Sequence, residues 1–125
     1  MANPNIVNVT TILGNTSTTS LSTTSATSIV SNAASSNKVF KINSIVVANI
    51  DGTSAADITI NLYSAAALGG TATAIASTIS VPADATLIVT DKTTSFYLLE
   101  DKSIGAIASA ANDLVVTCSW EEINS

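Results

Sequence analysis

The sequence of 125 residues contains no histidine and no arginine, and only 10% of its residues are charged. Because histidine is the commonest general base, neither a Ser-His-Asp nor a Cys-His catalytic site can be built. The single cysteine, Cys118, excludes an internal disulfide and leaves no usable set of zinc ligands. A glycine-rich phosphate loop is also missing from the sequence. We therefore predict a protein that is not an enzyme, with no catalytic, cofactor-binding or metal-binding residues.

Positive charge is scarce as well. The only basic residues are Lys38, Lys41, Lys92 and Lys102, and the net charge is -5. Nucleic-acid binders need a clustered basic surface for phosphate contacts, which four scattered lysines do not supply. The start of the chain lacks a signal-peptide pattern, and no apolar stretch is long enough to cross a bilayer. The expected partners therefore include neither nucleic acid nor a membrane.

Small and β-branched residues make up much of the chain instead. Serine and threonine number 18 each, and hydrophobic residues reach 46%, whereas aromatic residues are only 4%. This composition favours pleated β-strands over helices. Soluble domains carry about 25% charged residues, so the low charge predicts a surface hidden by contact with other subunits. A monomer coated with serine and threonine is the alternative.

The first 37 residues carry no charge. Residues 15–36 are mostly Ser, Thr, Asn and Ala, a composition typical of a flexible tract. Short apolar runs at Ile6–Leu13 and Ile29–Val30 interrupt it and point to strands. We therefore predict an N-terminal arm or strand extension over residues 1–37 and a β-sandwich domain over 38–125, and expect the arm to add a strand to the sheet of another copy.

Alternation of apolar and polar residues becomes clear from Lys38 onward. The period of two predicts a strand over residues 38–50, with Phe40, Ile42, Val46, Ala48 and Ile50 on one face. The other face has Lys41, Asn43 and Asn49 but also Ile45 and Val47, so we expect a neighbour to cover part of it. Residues 57–63 alternate in the same way, and the turn residues 51–56 between the two strands predict a hairpin. Ile58, Ile60 and Leu62 are expected to point inward.

Further short strands follow at close spacing. The pattern predicts strands near residues 71–80, 86–90, 96–99, 104–108 and 114–121, whereas residues 64–70 form either a helical turn or a loop. About eight strands with regular turns indicate an all-β fold, an antiparallel β-sandwich resembling a jelly roll.

Three aspartates could in principle meet around a calcium ion: Asp51, Asp57 and Asp84. Calcium needs six or more oxygen ligands, and the spacing does not match an EF-hand loop. An aspartate that caps its own turn is the favoured interpretation. A pair of carboxylates for glycoside hydrolysis is disfavoured because most acidic residues lie in predicted turns.

Aromatic side chains are the other candidates for contact. Phe40 and Trp120 alternate with apolar neighbours, so packing in the core is favoured over a ligand platform. Tyr63 and Tyr97 are equally consistent with exposed contacts and with packing at a sheet edge. Cys118 lies in an apolar strand and is expected to be a small core residue.

Four segments carry a resemblance to a known class of proteins. They are residues 38–52 (KVFKINSIVVANIDG), residues 79–84 (ISVPAD), residues 97–100 (YLLE) and residues 108–123, ending in SWEEI. Together they resemble short virion structural proteins of tailed phages, notably phages of marine and cyanobacterial hosts. The resemblance covers about residues 30–123 and implies a small β-sandwich on the virion, with no catalytic residue to carry over.

The resemblance leads to three functional expectations. The first is a capsid decoration protein, bound to itself as a homo-oligomer such as a trimer and to other virion proteins such as the major capsid protein. The second is a structural component of the neck, tail or fibre. The third, a carbohydrate-binding sandwich, is weakened by the low aromatic content.

Overall fold

Strand-forming residues run through the chain. The computed structural model describes residues 4–124 and arranges this part of the chain in nine β-strands. The strands are β1 (Thr11–Ser20), β2 (Thr27–Asn32), β3 (Lys38–Asn49), β4 (Ala56–Ala65), β5 (Gly69–Val81), β6 (Thr86–Thr90), β7 (Phe96–Leu98), β8 (Lys102–Ala108) and β9 (Leu114–Asn124). A single 3₁₀ turn, Lys92–Thr94, lies between β6 and β7.

The strands form two antiparallel sheets. One has the order β1-β9-β3-β6, with β7 also paired to β3, and the other has the order β2-β8-β4-β5. Pairing of β1 with β9, β2 with β8, β3 with β6 and β7, and β4 with β5 is the arrangement of a long hairpin rolled into a jelly roll. Because β6 and β7 share one edge of β3, the nine strands occupy eight positions. The predicted antiparallel sandwich is confirmed.

Aliphatic side chains from the facing surfaces of both sheets fill the core. The largest fully buried apolar residues are Leu21, Ile42, Ile45, Ile58, Ile60, Leu98, Ile104, Leu114, Val47, Val81 and Val116. The Phe40 ring stacks on Trp120 with the centroids 6.2 Å apart, and Cys118 is fully buried. Phe40 and the Cys118 thiol therefore belong to the core, as the alternation indicated, and the partly buried Trp120 packs against it.

The second half of β3 faces the opposite way from the prediction. The register between β3 and β9 shifts between Ile42 and Ser44, so one extra residue is inserted there. Such a bulge reverses the inward and outward positions that follow it. Ile45 and Val47 are therefore fully buried, whereas Ile50, predicted to share a face with Phe40 and Ile42, is 62% exposed. The prediction for Phe40 and Ile42 holds because both precede the bulge.

Residues 11–32 contribute two strands to the sandwich. β1 pairs with β9 along its whole length and β2 pairs with β8. Leu21, Ile29 and Val30 reach the core. The domain boundary predicted after residue 37 therefore falls in the loop between β2 and β3 of the same fold. These few apolar anchors let a serine- and threonine-rich tract form strands. Residues 1–3 lie outside the described range.

Two buried asparagines tie the ends of the sandwich together. Asn32, at the end of β2, donates from Nδ2 to the carbonyl oxygens of Lys38 and Leu98, at 2.9 and 3.1 Å. Asn49, at the end of β3, donates in the same way to Ser54 and Val81, at 3.0 and 2.9 Å. Each side chain satisfies main-chain groups of segments outside its own strand, a role that a buried amide can fill because it offers two donors.

A tight turn joins β4 to β5, where the sequence left a helical turn or a loop open. Ala67 and Leu68 both have positive φ angles, 56° and 61°, and Gly69 N donates to the Ala66 carbonyl at 3.1 Å. Two positive φ values are typical of a type I′ hairpin turn, which favours Asn-Gly. Non-glycine residues are strained in this region.

Replacing Ala67 with asparagine is expected to stabilise the fold by up to about 1 kcal/mol, because asparagine adopts positive φ at lower cost than alanine. Denaturant unfolding at matched protein concentration measures the gain. The same substitution at Ala55, an exposed loop residue without a positive φ, is the control and should change little. Equal effects at both positions would contradict the assigned strain.

Candidate functional site

The three aspartates proposed for calcium do not converge. The Asp51 carboxylate accepts hydrogen bonds from the Thr53 amide and hydroxyl, both at 2.9 Å. Asp84 meets Asp51 through the main chain, its amide donating to the Asp51 carbonyl at 3.2 Å. Within residues 4–124, no group of three or more Asp, Glu, Cys or His side chains is placed to hold a metal ion. Asp51 is thus a turn-capping residue, the interpretation that the sequence favoured.

Replacing Thr53 with valine should raise the pKa of Asp51. The Thr53 amide and then its hydroxyl hold that pKa below the ordinary value of 3.8, and valine removes only the hydroxyl. Because the pKa of Asp51 is lower in the folded state than in the unfolded state, its ionised carboxylate stabilises the folded loop at pH values above the unfolded-state pKa. This contribution is lost as the pH falls through the folded-state pKa.

Carbon-13 NMR titration of the aspartate carboxyls measures the change. Asp91 is an internal control, because Thr93 holds its pKa low in the same way and is unchanged in the variant. A pKa of Asp51 that does not move would contradict the role of the hydroxyl.

The two tyrosines have different environments. Tyr63 lies on the outer face of its sheet but is only 8% exposed, because its ring and the Leu68 side chain pack over Gly105. Tyr97 is 44% exposed. It lines an apolar groove with Pro4, Ile6, Val39 and Leu99. Only Tyr97 therefore remains a candidate for external contact.

The edges of the two sheets are the distinctive feature of the molecule. β1 and the β6–β7 pair are the edges of one sheet, and β2 and β5 are the edges of the other. None of these five strands contains Lys, Arg, Asp, Glu or Pro. The charged residues within strands all lie on the interior strands β3, β4, β8 and β9: Lys38, Lys41, Asp57, Lys102, Glu121 and Glu122.

Exposed apolar side chains follow the same division. Among the described residues, the large hydrophobic side chains that are both exposed and carried by strands all lie on edge strands. They are Ile12 and Leu13 on β1, Ile75 and Ile79 on β5, Ile88 on β6 and Tyr97 on β7. The interior strands have none, so the edges combine unpaired main-chain groups with accessible apolar surface.

Two of the usual protections, charge and proline, are missing from these edges, whereas β6 and β7 are short, with 5 and 3 residues. An edge strand presents unpaired N–H and C=O groups, and soluble proteins discourage pairing there with charges, prolines or very short strands. Here β5 is 13 residues long and β1 is 10. Bulges in the β4–β5 pairing and the positive φ of Thr78, at 50°, interrupt β5 without adding charge. Chemically, the edges are suited to accept further strands.

An ion pair joins two of the charged residues on the interior strands. Lys38 Nζ lies 3.1 Å from Glu122 Oε1, and Asn15 Nδ2 donates to the other Glu122 oxygen at 2.9 Å. Burial raises the pKa of the Cys118 thiol to about 12, so the sulfur stays protonated and a poor nucleophile. No helix within residues 4–124 is long and apolar enough to cross a membrane.

Comparison with known proteins identifies the fold. No family model matches the sequence, and no curated protein does. A solved structure of Bacillus endospore appendages, described as a novel family of disulfide-linked pili, contains a similar chain. The two are 20% identical, with a TM-score of 0.51, over 91% of this chain and 88% of that one. At this identity the similarity establishes the β-sandwich fold alone.

Proposed function

We propose that this chain is a non-enzymatic structural subunit whose sheet edges pair with further copies of itself. The observation that carries the proposal is the absence of charge and proline from all five edge strands. Keeping four exposed sheet edges free of charge in a lone molecule would invite aggregation. In an assembly, the same edges are paired and need no protection.

The energetics suit an assembly of many weak contacts. A new strand pair over the six residues of β2 would form about six main-chain hydrogen bonds, each contributing about 0.5–1.5 kcal/mol net. Apolar side chains at the edges add about 25 cal/mol per Å² that they bury. Association entropy offsets much of this gain, so one contact is modest and a lattice of contacts is stable.

The assembly that we propose is a phage virion, in which the chain is a decoration protein that binds copies of itself and the major capsid protein. The four sequence segments that resemble tailed-phage virion proteins support this placement. A neck, tail or fibre position is consistent with the same segments. The uncharged edges would hold neighbouring copies together over the shell and stabilise it mechanically.

A second candidate function is that of a subunit in an extracellular filament. The fold shared with the endospore appendage chain favours it. A filament of this chain would differ from disulfide-linked pili in one respect. Cys118, the only cysteine in the sequence, is buried in the core with its pKa raised to about 12. Copies would therefore be held by strand pairing without intermolecular disulfides, and reducing agents would leave the filament intact.

Self-assembly is tested with lysines placed on the edges. Ala74→Lys/Thr86→Lys puts one charge on β5 and one on β6, at exposed positions. Thr24→Lys/Ala26→Lys adds the same charge to an exposed loop and is the control. Sedimentation velocity should show large species for the wild type and the control, and loss of them for the edge variant. A wild type that stays a single molecule, or an edge variant that assembles normally, would overturn the proposal.

Placement on a particle is tested by quantifying the chain in purified virions. A decoration protein should be present at a copy number comparable to that of the major capsid protein. A few copies per particle would move the chain to the neck, tail or fibre. Complete absence from virions would remove the phage assignment, and filaments of the purified chain in electron micrographs would then favour the second candidate.

A further inference from the structure

The four edges lie on two opposite sides of the sandwich. β1 contacts β2 across the sheets, and β5 contacts β6 in the same way. The first side, formed by β1 and β2, and the second side, formed by β5, β6 and β7, therefore each present one edge of each sheet. The strands of both sides contain no charged residue, whereas Asp84, Asp91 and Lys92 lie in the connections on either side of β6. Both sides carry exposed apolar side chains, Ile12 and Leu13 on the first and Ile75, Ile79 and Ile88 on the second.

The number of strand positions fixes the direction of these edges. Each sheet has four positions, β1-β9-β3-β6 and β2-β8-β4-β5, and every neighbouring pair is antiparallel. With an even number of antiparallel positions, the two edges of a sheet run in opposite directions. This holds for both sheets at once.

A second copy in the same orientation can therefore extend both sheets together. When its first side is placed beside the second side of its neighbour, β1 meets β6 and β2 meets β5, and both new pairs are antiparallel. The first pair is matched in length, because β6 and β7 together line β3 from Phe40 to Ala48, a span close to that of the ten-residue β1. In the second pair, the six residues of β2 would pair with part of the thirteen-residue β5.

We infer that copies of this chain associate head to tail, first side to second side, with both sheets continuous from one copy to the next. This inference rests on the proposed self-assembly and specifies its geometry. A symmetric contact between two second sides would leave β1 and β2 exposed and would need a different contact to cover them. The head-to-tail contact engages all four edges with one interface and, being heterologous, closes into a ring or continues as a filament.

Two one-sided variants test the inference. The first-side variant, Thr18→Lys/Ser28→Lys, carries one lysine on β1 and one on β2, both at exposed positions. The second-side variant is Ala74→Lys/Thr86→Lys. Each should sediment as a single molecule alone, because its one open side finds only blocked partners. An equimolar mixture should give a one-to-one dimer with twice the mass and nothing larger.

The other outcomes separate the two proposals. A first-side variant that dimerises alone would show that second sides pair with each other. A second-side variant that dimerises alone would show that first sides pair with each other. Either result overturns the head-to-tail geometry. A mixture that does not associate, while Thr24→Lys/Ala26→Lys assembles, would also overturn it. If both one-sided variants assemble like the wild type, the edges are not the contact, and the proposed function fails with them.

Discussion

Replacing Asn49 with leucine is expected to lower the free energy of unfolding by about 3 kcal/mol. The side chain is 3% exposed and satisfies three main-chain groups: it donates to the Ser54 and Val81 carbonyls and accepts from the Asp51 amide at 2.9 Å. Leucine has a similar size but no polar atom. Each buried group left unsatisfied costs about 1–3 kcal/mol, and part of this is recovered where the Asp51 loop admits water.

Asn61→Leu is the matched control for this substitution. Asn61 lies on β4, half-buried on the outer face of the same sandwich, so the change there should stay within about 0.5 kcal/mol. Urea unfolding of both variants at one protein concentration measures the difference. Comparable losses at the two positions would show that Asn49 does not tie the β3–β4 loop to the end of β5.

Replacing Gly105 with valine is expected to destabilise the fold by about 2 kcal/mol, within the usual range for overpacking. A Cβ at this position would lie 2.6 Å from Leu68 Cδ2 and 2.8 Å from Tyr63 Cε1. Both side chains would have to leave the outer face of β8. Moving Leu68 also disturbs the strained turn that carries it, so relaxation is restricted.

Gly14→Val controls for the change of residue type. A Cβ on Gly14 would meet nothing within 4 Å, and valine favours strands, so stability should hold or rise. In a Leu68→Ala background, the loss caused by Gly105→Val should shrink, because one of the two obstructing side chains is gone. A loss that is unchanged in that background would contradict the packing account.

Strand alternation allowed much of the fold to be predicted from the sequence. The β4 prediction is confirmed: Ile58 and Ile60 are buried, and Leu62 packs against the core. The bulge in β3 was missed because one inserted residue leaves no compositional signal and only changes which parity faces inward. The anchoring of residues 11–32 was missed because Leu21, Ile29 and Val30 are few among many serines and threonines.

The candidate site could be only half predicted. Low charge is visible in the sequence and led to the expectation of hidden surface. Which strands lie at the edges depends on pairings between distant residues, such as β1 with β9, and no local pattern reveals them. The strand order is needed to recognise that every charged residue within a strand lies on an interior strand.

Individual residues gave little functional signal. Asp51 caps a turn, Phe40 and Cys118 pack in the core, and Trp120 packs against it, so the residues whose types suggest chemistry are used for structure. The proposed function depends on a property that no single residue carries. That property is the absence of charge along whole strands. We expect a lysine at any one edge position to weaken the association of copies.

Hydrogen–deuterium exchange of the main-chain amides, compared between the assembled wild type and the Ala74→Lys/Thr86→Lys variant, tests the central claim most directly. Pairing between copies predicts that assembly slows exchange in β1, β2, β5 and β6 and leaves β4 and β9 unchanged. Slower exchange confined to other surfaces, with edge amides exchanging at the same rate in both samples, would contradict the claim that sheet edges join the copies.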